Sequence, residues 1–227
     1  DEIVNSLSLH VAARRNIVIA TRSLQFRFSS TWQLGSGGYF SIQPTNDPNK
    51  RYSQVLPKPG VDMKAAFDSI TKDTQPWALG CVDAANLMVH WGIVKALEDY
   101  GVNSAIVAGF TWNTSPVLDR ENRVEPNDWI PGDWGYVQNL PFTQTDRSRQ
   151  GENVIAVGNK KLFGIPGGAK ELKEWYHELL GWATSIARER NMPFNPGEYT
   201  DERLEREMYQ DFRVFPMVGL DDVYAQW

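Results

Sequence analysis

The sequence predicts an α+β domain, with a buried central helix followed by an antiparallel meander of short strands. Three observations carry this. Residues 82–97 are apolar on nearly every face, which marks a helix enclosed by the rest of the chain. Short β-rich runs come after it at 104–112, 134–137, 151–158 and 162–164, separated by turn residues. No alternating strand–helix–strand rhythm is present, so a parallel, doubly wound sheet is not expected.

Taken in order, residues 3–24 mix Ile3, Val4, Leu7, Val11, Ile17 and Val18 with Arg14, Arg15 and Arg22, a helical pattern. The β-rich Ile17-Val18-Ile19 leaves a strand as the alternative. Gly35, Gly37 and Gly38 mark 33–40 as a loop, without the spacing or the Lys-Ser/Thr pair of a phosphate-binding loop. Residues 43–60 carry Pro44, Pro48, Pro57 and Pro59 and read as a long surface excursion. A short helix over 62–69 leads to the Gln75-Pro76-Trp77 loop and the central helix, which Gly101 ends. Residues 113–133 are polar and proline-interrupted, and Asn159-Lys160-Lys161 reads as a turn between strands. An amphipathic helix over 169–190 follows Gly167-Gly168, Pro193 and Pro196 break it, and 201–211 is a charged helix. The segment 192–227 is too short for a core of its own and is expected to pack on residues 1–191.

Composition narrows the function. Of 227 residues, 41% are hydrophobic and 22% charged, the balance of an ordinary globular domain. Nine tryptophans suggest aromatic-lined grooves as well as core. A net charge of −5 argues against a nucleic-acid footprint, and Arg14-Arg15 and 147–149 are too small to reverse it. A single cysteine excludes an internal disulfide and a cysteine-based zinc site. His10, His90 and His177 lack metal-ligand spacing, so no metal is expected. No uncharged run approaches the ~20 residues of a membrane span. A chain that starts at Asp1 reads as a processed form or an excised domain, and its location is left open between a delivered effector and the bacterial cytoplasm.

Cys81 falls in the first turn of the central helix, where unpaired N–H groups and the helix dipole favour a thiolate. By position alone it reads equally as a nucleophile or as a small buried residue. Asp83, Asn86 and His90 form one narrow polar stripe on that helix. His90 lies nine residues beyond Cys81, half a turn out of phase, so the helix cannot present both at one site. His177 is a weak candidate for a papain-type partner, and His10 reads as a surface residue of the first helix. Glu152 enters the apolar Val-Ile-Ala-Val run, where a carboxylate is costly to bury unless paired or protonated. Close to a thiol it would serve as a general base; the alternative is a solvated strand end. Asp119, Asp128 and Asp133 read as turn residues.

Cys81 and Gly151-Glu152-Asn153-Val154-Ile155 together resemble the small calcium-independent bacterial transglutaminases of the spore-coat type. That family places a nucleophilic cysteine at the start of a long apolar helix and an acid/base glutamate in a Gly-Glu-Asn-Val-Ile strand. Weaker similarities keep the same order: Arg15-Asn16-Ile17-Val18, Gly132-Asp133, Phe142 and Phe163. The resemblance runs from about residue 14 to 168, and 192–227 has no counterpart.

The resemblance implies a papain-like fold of the NlpC/P60 kind and a transglutaminase-like catalytic domain over 1–191. Cys81 would attack the γ-carboxamide of a protein glutamine, release ammonia and pass the acyl group to a lysine amine, with Glu152 as base and acid. No cofactor is implied. Trp77, Trp112, Trp129 and Trp134 would line a tunnel that keeps water from the thioester, with Asn153 also among the substrate-binding residues. Two departures stand out: Gly80 replaces a glutamate ahead of the nucleophile, and Ile165-Pro166 replaces a His-Gly pair on the channel rim. They leave a glutamine deamidase or cysteine peptidase on the same scaffold as the alternative, and a non-catalytic peptide-binding relative as a third reading. The partners expected are proteins bearing glutamine and lysine. The termini also fit the effector piece of a larger secreted toxin, with an immunity or inhibitor protein as a further partner.

Overall fold

The structure, a computed structural model, describes residues 2–23, 26–28, 38–43, 54–72, 77–101, 119–121, 128–146, 148–165, 167–208 and 213–215. The apolar run forms helix α3 (Cys81–Asp99), buried almost throughout from Ala84 to Leu97. Helix α1 (Glu2–Ser23) packs along it. Leu9, Ala13, Ile17 and Ala20 recur at helical spacing and are all buried, so the packing stripe overrides the strand preference of Ile17-Val18-Ile19. Gly92 lets the two helices approach: a Cβ there would stand 2.4 Å from Ile17 Cγ1 and 2.6 Å from its backbone nitrogen.

Ahead of α3 lie two small pairings. Strand β1 (Phe26–Phe28) runs parallel to β4 (Trp77–Leu79), and β2 (Phe40–Gln43) pairs antiparallel with β3 (Gln54–Pro57). The excursion expected over 43–60 therefore has paired ends, with Gln43 opposite Gln54 in the ladder. Helix α2 (Met63–Lys72) follows β3. Trp77, expected in a loop at the substrate tunnel, is a core residue of β4, 4% exposed and packed edge-on against Phe40 with ring centres 5.4 Å apart.

The main sheet is antiparallel, in the order β5 (Asp119–Glu121), β10 (Arg213–Phe215), β6 (Trp134–Gln138), β7 (Gly151–Gly158), β8 (Lys161–Gly164), β9 (Gly168–Glu171). Asn159 and Lys160, both at positive φ, make the tight turn between β7 and β8 where the sequence predicts one. Strand β9 takes the first residues of the helix expected over 169–190. Helix α4 (Leu172–Glu189) begins only after Glu171, whose side chain forms a capping box with Glu174. The expected strand at 104–112, Trp112 included, lies outside the described residues.

One face of the sheet carries Trp134, Ile155 and the neighbouring Ile165 into the core formed with α1 and α3. The other carries Val137, Val154, Ala156 and Leu162 into a second core under α4. Helix α5 (Asp201–Met208) adds Leu204 and Met208, both fully buried, to that second core. Arg14 of α1 bonds the buried Asp133 at 2.6 Å, and Asp133 also accepts the N–H of Ile130, which ties the first helix to the start of β6. Asp133 therefore serves a turn, as expected, and a buried ion pair as well.

Gly92→Ala is expected to destabilise the protein by about 2 kcal/mol. Overpacking against the α1 backbone outweighs the gain in helix propensity. A urea melt checks this, and an unchanged midpoint would mean the two helices are not in that contact.

Candidate active site

Cys81 is the first residue of α3, after Gly80, which caps the helix from extended backbone with no side-chain bond. The first-turn N–H groups are therefore left for other partners, and that of Val82 faces the sulfur. The space beside Gly80 belongs to Asp83, whose Oδ2 lies 3.0 Å from where a Cβ would sit.

Strand β7 meets this helix end. Asn153 shares a face with Tyr136 and Ile155, toward α3, because side chains alternate along a strand. Its Nδ2 donates to Cys81 Sγ at 3.3 Å, and its Oδ1 accepts the indole N–H of Trp134 at 3.1 Å. Trp134 and Asn153 are both buried. Trp134 belongs to the core shared with α1 and α3. Trp129 is likewise packed over β6, its ring 2.0 Å from where a Cβ on Gly135 would sit. Trp129 is half-buried there.

Glu152 leaves β7 on the opposite face, level with Val137, and is 2% exposed. Its Cγ lies beside Gly164, where a Cβ would come within 2.8 Å of it and 2.7 Å of Trp175 Cη2. The ladder between β7 and β8 ends at Val154 and Gly164. Just beyond that end, the N–H of Ile165 donates to Glu152 Oε1 at 3.2 Å, and the N–H of Asn153 also faces the carboxyl. Ile165, one of the pair expected to shape a channel rim, is thus a core residue whose backbone holds the acid. Lys170 adds a positive charge nearby; it pairs with Glu178 and lies 4.9 Å over the Trp175 ring.

Burial pushes the Glu152 carboxyl well above the usual range, against the two N–H groups and the Lys170 charge that pull it down. Burial also pushes the Cys81 thiol up, and the negative charge of Glu152 adds to that shift; Asn153 and Val82 oppose it. The carboxyl acts on the sulfur through space, with no direct hydrogen bond between the two side chains. At rest the proton therefore stays on sulfur.

The histidines are occupied elsewhere. His90 is fully buried, pushed down to about 4 by that burial, with Nδ1 2.9 Å from the Asn86 carbonyl. His177 is exposed on α4 and bonds Asp201 at 2.9 Å, so it is not a papain-type partner. His10 is half-buried on α1. Among the described residues no cluster of three His, Cys, Asp or Glu side chains could hold a metal ion. No described helix is long and apolar enough to cross a membrane.

A thiol at a helix start and a buried carboxyl on the adjoining strand make up the candidate site. The family of protein-glutamine gamma-glutamyltransferases matches residues 2–192, and the chain belongs to it. It is 23% identical over 168 residues to the protein-glutamine gamma-glutamyltransferase of Bacillus pumilus (strain SAFR-032), covering 70% of this chain and 64% of that protein. The corresponding protein of Bacillus cereus (strain B4264) is 24% identical over 207 residues, covering 84% of this chain and 65% of that one. The chain thus spans just under two thirds of the length of these relatives. In fold it is similar to the transglutaminase from Geobacillus stearothermophilus without its C-terminal extension. The TM-score is 0.58 at 17% identity, covering 78% of this chain and 83% of that one.

Glu152→Gln is expected to make Cys81 more reactive toward iodoacetamide at a fixed, mildly alkaline pH. Removing the negative charge lowers the thiol pKa, so a larger fraction is thiolate. Alkylation followed by mass spectrometry reads this, and an unchanged or slower rate would show that the carboxyl does not act on the sulfur.

Proposed function

We propose that this chain transfers the acyl group of a protein glutamine to a lysine amine, with Cys81 as nucleophile and Glu152 as its acid/base partner. The observation that carries the reading is a sulfur at a helix N-terminus, in the field of a buried carboxyl, with no imidazole bonded to it. In its ionised form Glu152 takes the thiol proton as sulfur attacks the γ-carboxamide carbon. The same proton returns to the departing nitrogen, which leaves as ammonia, and the acyl group stays on sulfur as a thioester. A lysine amine then attacks, gives a proton to Glu152, and the thiolate leaves and is reprotonated. The products are an isopeptide bond and free enzyme.

The helix-and-sheet arrangement supports a papain-like core of the NlpC/P60 kind, with carboxyl in place of imidazole. The family match to residue 192 supports reading 1–191 as the catalytic domain and the remainder as an extension packed on it. One observation favours a second outcome. Cys81 is partly exposed while Trp77 and Trp134 are buried in the core shared with α1 and α3, so these two rings are not arranged to close over the residue. Hydrolysis of the thioester, which yields glutamate, then competes with aminolysis.

The test is incubation of a glutamine-containing protein with a labelled primary amine. We expect label incorporation with matching ammonia release, none with Cys81→Ala, and a loss of about 10²-fold or more with Glu152→Gln. The rate should fall as pH drops through the raised Glu152 pKa, because only the ionised carboxyl accepts the proton. Ammonia without incorporation assigns the chain to deamidation; neither product from the unaltered protein overturns the reading.

A further inference from the structure

We propose that Asn153, locked in one orientation by Trp134, is the donor that aims the Cys81 sulfur and stabilises its negative charge during acyl transfer; this rests on the reading above. Chemistry settles the orientation of the amide. An indole N–H can only donate, so the Asn153 atom 3.1 Å from Trp134 Nε1 must be the oxygen. The amide N–H₂ is then the end left for Cys81 Sγ, at 3.3 Å. A thiolate can only accept, so the amide is already set for the ionised sulfur and need not turn when the charge forms.

The support behind this pair is rigid. Trp134 sits opposite Ile155, two residues along from Asn153 and on the same face of the sheet. Its ring belongs to the core shared with α1 and α3, and its strand lies between β7 and β10 rather than at an edge. Adjacent residues of β7 thus divide the work. Glu152 exchanges the proton from one face, and Asn153 positions the sulfur from the other. Asn153 touches the reacting atom; Trp134 is a positioning residue that acts only through it.

The experiment is the rate of Cys81 alkylation by iodoacetamide across pH in the full chain, where the single cysteine makes the signal unambiguous. Asn153→Ala is expected to slow alkylation about tenfold at any pH on the rising limb, a pKa shift of about one unit upward. Asn153→Ser, which keeps a short donor, should recover part of that loss. Trp134→Phe, which keeps a ring but removes the N–H, should shift the profile the same way by less. The double variant Asn153→Ala/Trp134→Phe should be no slower than Asn153→Ala alone. An unmoved profile in both Asn153 variants overturns the proposal, and so do additive shifts in the double variant. Alkylation needs no turnover, so an unaltered protein that incorporates no amine would sink the acyl-transfer reading while leaving this measurement decisive.

Discussion

A carboxyl group taken out of water at the start of β7 is the constraint on which the site depends. Glu152 is offset there by two backbone N–H groups and the nearby Lys170, too little to keep its pKa in the ordinary range. Burial raises the Cys81 thiol in turn, and the charge of Glu152, once ionised, raises it further. The resting site is therefore a neutral thiol beside an acid poised to change its charge. A helix N-terminus alone would favour a standing thiolate; burial and the carboxylate reverse that preference. In the proposed reaction, thiolate formation is then a step rather than a standing property of the site.

The architecture produces this from ordinary parts. Strand alternation sends Glu152 and Asn153 to opposite faces of one strand. The sheet is covered on both sides, by α1 and α3 on one and α4 on the other, so both residues are buried although they point apart. Where β8 stops pairing with β7, the freed N–H groups turn to the carboxyl instead of to a ladder. Gly164 leaves room for the acid and for the Trp175 ring together, since any side chain there would meet both.

Much of this was legible in the residues. The all-round apolar character of 82–97 identified the central helix and put Cys81 at its start, and the half-turn phase difference removed His90 from the site before any geometry. Glu152 was visible as a charge entering an apolar strand. Short-range patterns did less well. Strands of three or four residues, such as β4, β5 and β9, carry too little periodicity to read, and their pairing depends on partners far away in sequence. The tryptophans are ambiguous for a related reason, because a large ring reads the same whether it lines a groove or fills a core; Trp77 and Trp134 are buried in the core. The indole–amide–thiol link had one usable signal, the alternation that sets Asn153 apart from Glu152. The Ile165 N–H had none, since a backbone donor belongs to no residue type.

The most direct test of the account is the carboxyl titration of Glu152 in the intact protein, followed by carbon NMR with labelled glutamate and assigned by comparison with Glu152→Gln. The account predicts a midpoint well above the ordinary value of about 4.3, and a further change in that midpoint when Cys81 is replaced by alanine. A carboxyl that titrates near 4.3 and ignores the loss of the thiol would contradict it.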